Sequence, residues 1–314
     1  MKVAAVVVTW NRRVLLERCL EALAAQTRAL DAIHVIDNAS DDGTEAVLSS
    51  RAERDPRITV HRLLVNSGGA GGFHAGLAAA HAAGADWIWM MDDDTIPTAT
   101  ALEKLLVALE SYPASHRPWL LASRVDWEDG RLHPMNHVAV KQRFHKEFLW
   151  ASAARGHLSI RSATFVSLLC DRRCVDHYGL PLADYFIWND DVEYTARILR
   201  HQPGIGVPAS VVLHATRTPY GTHDAAPDRY YFFLRNQMWM LLWSDSHDRM
   251  EKVQILQMWL LKSAQYFLRR CWRPAVWRCY LRAAWAFLAR RPRRQGEPPS
   301  CDVFPFVDRP IHTP

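Results

Sequence analysis

The sequence lacks the features that mark several large classes of protein. Its six cysteines (Cys19, Cys170, Cys174, Cys271, Cys279 and Cys301) are scattered without paired metal-ligand spacing, which argues against a disulfide framework or a zinc-ribbon arrangement. Cys170 and Cys174 stand four apart, but no second pair completes a tetrahedral site. No signal peptide is recognised, so a reducing interior is the expected home. There is no internal repeat, and no apolar run is long and uncharged enough to cross a bilayer. A P-loop lysine is missing, and the one glycine-rich stretch follows the third expected strand rather than the first. P-loop enzymes and dehydrogenases are therefore disfavoured. Between Glu251 and Glu297 there is no acidic residue at all.

What is present suffices for a full core. With 314 residues, 49% hydrophobic and 23% charged, the chain is expected to form one domain plus an appendage. The net charge of +5 is modest but uneven, because Arg269, Arg270, Arg273, Arg278, Arg282, Arg290, Arg291, Arg293 and Arg294 crowd the acid-free stretch.

The first part alternates strand and helix signals, as βα units on a parallel sheet do. Residues 3–9 (VAAVVVT) read as a buried strand and residues 14–26 as an amphipathic helix. Residues 33–37 (IHVID) and 58–63 (ITVHRL) read as the next two strands. Glycine-rich residues 66–76 then open an alanine-rich helix ending near Gly84, and a fourth strand follows. After a helix near residues 98–111 the period weakens up to about residue 165, which reads as sheet-edge strands and loops that cover a site. A helix is expected from Asp190 or Asp191 to about His201, capped by Asn189, and a strand over 206–214. Residues 228 to about 288 read as largely helical.

The fourth strand ends in WIWMMDDDTIP. Three adjacent carboxylates repel one another and are costly to bury unpaired, so a divalent cation is a natural reason to place Asp92, Asp93 and Asp94 at a strand's carboxyl end. That end is where open α/β sheets bind ligands. Alternation puts Asp92 and Asp94 on one side and Asp93 on the other, so the pair could share one ion with a substrate diphosphate. The competing reading is a solvated acidic turn. A second acidic cluster, Trp188-Asn189-Asp190-Asp191-Val192-Glu193, opens a helix; there one carboxylate can face a cleft as a proton acceptor while others hold structure. Asp191 is taken as that base, against simple helix capping by acids. His214 ends an apolar run and could join the carboxylates on Mn²⁺, with His223 as its competitor. The glycines of Asn66 to Phe73 allow close approach of backbone to a ligand or tight packing of helix on sheet.

Taken in order, VVVTWNR, VIDNAS, NSGGAGGF, MDDDTIP, WNDDVEY, a strand-terminal histidine and YYFFLRNQ resemble the family-two inverting glycosyltransferases of the GT-A fold. Within them the chain is most similar to the UDP-galactofuranose transferases of cell-envelope galactan or O-antigen synthesis. The resemblance covers about residues 1–245, and NSGGAGGF with DDD and YYFFLRN narrows it. It implies a GT-A type, Rossmann-like, mostly parallel sheet flanked by helices. Position by position it implies that Thr9, Asn11 and Arg12 line the nucleotide end and that Asp37 contacts the uracil. It places Asn66, Gly69, Gly71 and Gly72 beside the nucleotide sugar and Asp93 near the donor sugar. Asp92, Asp94 and His214 would hold Mn²⁺ or Mg²⁺, and Asp191 would be the base, flanked by Asp190 and Glu193, with Trp188 shaping the acceptor pocket. Relatives often have the tryptophan directly before the two aspartates, whereas Asn189 intervenes here, so Asp190 stays an alternative base.

The expected organisation is a catalytic domain over 1–227 (nucleotide part about 1–112, acceptor part about 113–227), a helical membrane-associating region over 228–296 and a polar tail over 297–314. Residues 238–243, 253–261 and 266–288 are apolar stretches broken by arginines, suited to an anionic lipid surface or, alternatively, to packing on the core. Nucleic acid is not an expected partner, because the aromatics look like helical faces rather than stacking platforms. The sequence therefore points to a metal-dependent transferase of galactofuranose from a UDP-sugar to a lipid-linked or oligosaccharide acceptor. It would work in the cytoplasm, peripheral at the inner face of the cell membrane, and a homo-oligomer is compatible with the sequence. A dTDP-rhamnose-using rhamnosyltransferase and a non-catalytic nucleotide-sugar-binding scaffold are the alternatives.

Overall fold

All seven residues of β1 (Val3–Thr9) are buried, and their alternation divides them between two cores. Val3, Ala5 and Val7 face one apolar layer, while Ala4, Val6 and Val8 face the other. A strand apolar on both faces must be covered on both, and the computed structural model, which describes residues 1–141, 146–216 and 224–293, shows helices on each side. The first face packs α1 (Arg13–Ala24), α2 (Thr44–Arg54), α4 (Ala101–Glu110) and α5 (Lys146–Ala153). The second packs α3 (Gly68–Ala82), α6 (Arg173–Tyr178) and α7 (Asp190–Leu199).

The remaining strands are β2 (Ala32–Asp37), β3 (Ile58–Arg62), β4 (Trp87–Asp92), β5 (Thr95–Pro97), β6 (Leu120–Asp126), β7 (Ala139–Val140), β8 (Leu158–Ser162), β9 (Leu168–Asp171) and β10 (Gly204–His214). The sheet runs β3-β2-β1-β4-β9-β6-β10-β8-β7, with β5 beside β10. β1 pairs in parallel with β2 and β4, β2 with β3, and β6 with β10. β9 is antiparallel to both β4 and β6, so the strands on either side of it still run in one direction and the sheet is mostly parallel.

Two expectations are corrected here. The stretch read as edge strands and loops contains β6, an interior strand between β9 and β10. Its apolar pattern is disguised by Ser123, which is buried because its hydroxyl meets those of Ser167 at 2.7 Å and Ser210 at 2.8 Å. Asn189 does occupy the N-cap position of α7, but its backbone is left-handed, with φ 65°, and its side chain makes no capping hydrogen bond.

Two glycines of α3 answer to packing. A Cβ on Gly72 would lie 2.4 Å from Val8 Cγ1, and one on Gly76 would lie 2.3 Å from Val6 Cγ1. The helix thus sits closer to β1 than any side chain would allow.

Beyond the sheet, α8 (Pro227–Trp243), α9 (Arg249–Arg270) and α10 (Pro274–Ala289) pack on one another around Tyr230, Tyr266, Val276 and Cys279. Asp248 and Glu251 form a reciprocal capping box at the start of α9. Glu251 also pairs with Arg161 of β8 at 2.7 Å, tying this layer to the sheet. Among the described residues no helix is long and apolar enough to cross a membrane. The polar tail over 297–314 and His223 lie outside the described residues.

Candidate active site

Three strand ends meet at one cavity of about 420 Å³. β1 and β4 are parallel neighbours with Val8 opposite Asp92, so Thr9 and the acidic turn emerge side by side. β10 arrives differently. The chain after Asp94 returns as β5, antiparallel to β10 with Thr95 opposite His214, and this return sets His214 against Asp94.

Thr9 Oγ1 donates to Asp93 Oδ2 at 2.8 Å. The Arg12 guanidinium reaches Asp93 Oδ1 at 3.4 Å and also Asp94 Oδ2. Asp92, Asp94 and His214 each offer one ligand atom, all within 4.8 Å of one another. Asp94 Oδ1 is buried and makes no hydrogen bond, although His214 Nε2 stands 3.1 Å away. The other ring nitrogen is committed, since Nδ1 lies 2.8 Å from Asn136 Oδ1. That carbonyl oxygen can only accept, so with Asn136 oriented for its Nδ2 to donate to Thr164 Oγ1, Nδ1 carries the hydrogen. In the neutral ring Nε2 and Asp94 Oδ1 are then two acceptors face to face. An orphaned carboxylate oxygen, a second carboxylate and an imidazole lone pair fit a Mn²⁺ or Mg²⁺ ion.

The charges agree with this placement. Burial, then the neighbouring Asp94 and Asp93 carboxylates, push Asp92 well above the ordinary carboxylate range, and Arg12 opposes them only in part. Asp93 is pushed up to about 7 by burial, again against Arg12. Burial disfavours ionisation of Asp94 as well, but a protonated His214, which would donate from Nε2 and add positive charge, together with Arg12 outweighs it and holds that carboxyl at about 2. When the ring is neutral, Arg12 is the cation left on Asp94 and the Nε2 lone pair is open to a metal.

The facing wall is the start of α7. Asp190 and Asp191 both line the cavity. Burial lifts Asp191 to about 6, checked by the Val192 amide, which donates to its Oδ1 at 2.7 Å. Burial, then Asp191, then Asp92 push Asp190 much further up. Trp188 lines the same space, with the Arg229 guanidinium 5.1 Å from its ring centre.

Asn66 and Gly69 also reach the cavity, and Gly69 has nothing within 4 Å of a would-be Cβ. Five of the expected site residues are not among those that line this cavity. Asn11 is exposed, its amide donating to Asp41 Oδ1 at 2.7 Å. Asp37 is buried and accepts from Ser40 N at 2.9 Å and Arg62 at 3.1 Å. Gly71 and Gly72 turn toward Ser67 and Val8, not toward the cavity. Glu193 is buried on the far side of α7, where Arg197 pairs with it at 3.0 Å and Ser244 Oγ donates to it at 2.6 Å.

Sequence reasoning missed His133, Asn136, Phe186 and Arg229, which all line the cavity. The His133 ring packs on that of His214 at 4.7 Å, and burial, then His214, holds its pKa down at about 4. The only signal for this wall was the crowding of histidines at His133 and His137, in a stretch with no period.

A mostly parallel sheet that ends in an acidic turn, facing an acidic helix start across one cavity, defines a glycosyltransferase of the GT-A fold. The model of the family described as Glycosyl transferase family 2 matches residues 4–163, and the chain belongs to that family. It is 31% identical over 228 residues to the galactofuranosyltransferase GlfT1 of Mycolicibacterium smegmatis, which covers 72% of this chain and 73% of that protein. It is 32% identical over 227 residues to GlfT1 of Mycobacterium tuberculosis, covering 72% of each. Among solved structures, S. aureus TarS in complex with UDP-GlcNAc matches with a TM-score of 0.60 and 16% identity, over 91% of this chain and 81% of that one. TarS in complex with UDP matches at 0.57 and 16%, over 83% and 71%. At such identity the likeness is one of fold.

Proposed function

We propose that the chain transfers galactofuranose from UDP-galactofuranose to a hydroxyl of a lipid-linked or cell-envelope glycan, with inversion and with a divalent cation. The observation that carries this reading is the pairing of the orphaned Asp94 Oδ1 with His214 Nε2, in the same cavity as Asp191. The galactofuranosyltransferases among its relatives support the sugar, and the UDP and UDP-GlcNAc complexes of TarS support a UDP-linked donor.

A Mn²⁺ or Mg²⁺ ion held by Asp92, Asp94 and His214 would supply positive charge to the departing diphosphate. Arg12, already on Asp93 and Asp94, adds a fixed cation at the same end, and Thr9, Asn66 and Gly69 shape the donor's bed. Asp191 accepts the proton of the acceptor hydroxyl. The new bond forms from that oxygen to the anomeric carbon on one face, while the carbon's bond to the diphosphate oxygen breaks on the other and UDP leaves with the electron pair. Asp191 suits the role better than Asp190, because a carboxyl held near 6 is ionised at neutral pH whereas burial favours the protonated form of its neighbour. Trp188 offers the acceptor sugar an apolar face.

The reading extends to a lipid surface at the cytoplasmic face of the membrane. Trp277, Leu281, Trp285 and Leu288 are exposed along α10, among arginines, as expected of a helix that lies in an anionic interface. A lipid-linked acceptor would then be met in two dimensions.

A donor panel tests the reaction. With Mn²⁺ and a polyprenyl-linked glycan acceptor, UDP-galactofuranose should release free nucleotide fastest among nucleotide sugars. Fastest release from dTDP-rhamnose would reassign the donor, and release from none would reject the reading.

A further inference from the structure

The motif YYFFLRNQ belongs to α8, outside the sheet, and the catalytic reading gives it no task. Two of its residues, Arg235 and Asn236, are among the most deeply buried polar side chains of the protein, 1% and 0% exposed. Both donate to the backbone of one segment, residues 184–188, and the Arg235 guanidinium also lies over the Trp239 ring at 4.1 Å. Asn236 Nδ2 lies 2.8 Å from each of three carbonyl oxygens, those of Tyr185, Ile187 and Trp188, so its two hydrogens are shared among three acceptors. Arg235 donates to the carbonyls of Asp184 at 2.8 Å and Tyr185 at 3.0 Å, and its Nε holds Asn236 Oδ1 at 2.9 Å.

That segment has an unfavourable backbone. Phe186 has φ 64° and ψ −67°, with Ile187 N donating to Tyr185 O at 2.8 Å, which is the γ-turn of the rarer and more strained hand. Trp188 and Asn189 follow with φ 64° and 65°. Three non-glycine residues with positive φ among four do not persist unless their surroundings impose them. The turn is gripped from the opposite side too. Phe186 O accepts from Ala70 N at 3.0 Å at the start of α3, and a Cβ on Gly68 would come 2.1 Å from the same oxygen. The segment carries Trp188 into the cavity and delivers the chain to Asp190 and Asp191.

We infer that Arg235 and Asn236 are positioning residues, whose clamp on the Phe186 turn sets the start of α7 so that Asp191 and Trp188 face the donor. This rests on the reading of Asp191 as the base. The helices α8–α10 are then part of the catalytic apparatus as well as a surface for docking.

The test uses Asn236→Asp, which keeps the shape and removes both donors, and Asn189→Ala, which leaves α8 intact and raises the cost of the left-handed backbone. Each should lower kcat about 100-fold, the scale of a misplaced catalytic group, while KM for the nucleotide sugar and Kd for UDP stay within about twofold. Amide hydrogen exchange over residues 186–191 should rise about tenfold or more with β1 and β4 unaltered. Adding Asn189→Gly, which eases the left-handed position, should restore part of the kcat lost in Asn236→Asp. The inference is overturned if exchange in that segment is unchanged, or if kcat and UDP affinity fall together. The exchange measurement needs no substrate, so it separates failure of the clamp from misassignment of the base, which Asp191→Asn addresses.

Discussion

Asp94 gives one carboxylate oxygen to Arg12 and holds the other, unbonded, 3.1 Å from Nε2 of His214. On the proposed reading the residue is divided between a permanent cation, Arg12, and an exchangeable metal ion. Asp94→Ala should therefore lower the Mn²⁺-dependent affinity for UDP by about 100-fold, at the upper end of what disturbed metal shells cost. Titration calorimetry with and without Mn²⁺ checks this. Equal UDP affinity with and without Mn²⁺ in the unaltered protein would remove the cation from the account.

The Asp191 carboxyl, raised to about 6 by burial, gives a pH dependence of definite sign. A base must be ionised, so turnover should be full well above pH 6 and fall about tenfold per pH unit below it. Asp191→Asn should lose about 10²- to 10⁴-fold in kcat, the usual worth of a positioned base, with UDP binding intact. If Asp190→Asn does this and Asp191→Asn does not, the proton goes to the neighbouring residue.

Much of this site was legible before folding. A buried strand ending in three aspartates, followed by a second acidic cluster at a helix start, marks strand ends and helix starts as chemistry-bearing places whatever the register. The partners that depend on tertiary geometry were not legible. Asn136 meets His214 only because the chain leaving β6 turns back beside the end of β10, its parallel neighbour, and β6 was hidden because its serine is satisfied by two other serines from distant segments. Glu193 and Asp37 read as site acids in sequence, and their ion pairs with Arg197 and Arg62 depend on tertiary neighbours that the sequence does not display.

The glycines of α3 divide into two kinds, which mutation should separate. Alanine at Gly76 would set a Cβ 2.3 Å from Val6 and 3.0 Å from Ile36 in the middle of the sheet. Neither neighbour has room to withdraw, so overpacking should outweigh the gain in helix propensity and cost about 1–3 kcal/mol. Gly69 has open space on the cavity side. Gly69→Ala should leave the denaturation midpoint unchanged and weaken nucleotide-sugar binding. Urea unfolding with a UDP titration reads both, and a stable, tight-binding Gly76→Ala would refute the packing argument.

The outward stripe of α10 poses the last question. Trp277, Leu281, Trp285 and Leu288 are 53%, 68%, 63% and 78% exposed, and spacings of four, four and three residues put them on one face. Four large apolar side chains on one exposed face cost solubility unless something covers them. Arg278 lies on the same helix and Arg290 and Arg291 just beyond it, and apolar side chains interleaved with cations suit an anionic lipid surface. Trp277 also packs edge-on against Phe267 at 4.7 Å and donates to Cys271 O at 2.8 Å, so the test uses the other three. Replacing Leu281, Trp285 and Leu288 together by serine should reduce partitioning onto vesicles containing phosphatidylglycerol by about 100-fold or more, since each buried side chain contributes roughly 1.5–3 kcal/mol. Because these positions do not pack in the core, thermal stability and turnover of a water-soluble acceptor should be unchanged. Binding of the unaltered protein should also weaken as salt rises, the mark of an electrostatic share. Vesicle binding that survives the triple substitution would move the contact to another face, and a change from oligomer to monomer would identify the stripe as an interface between copies of the chain.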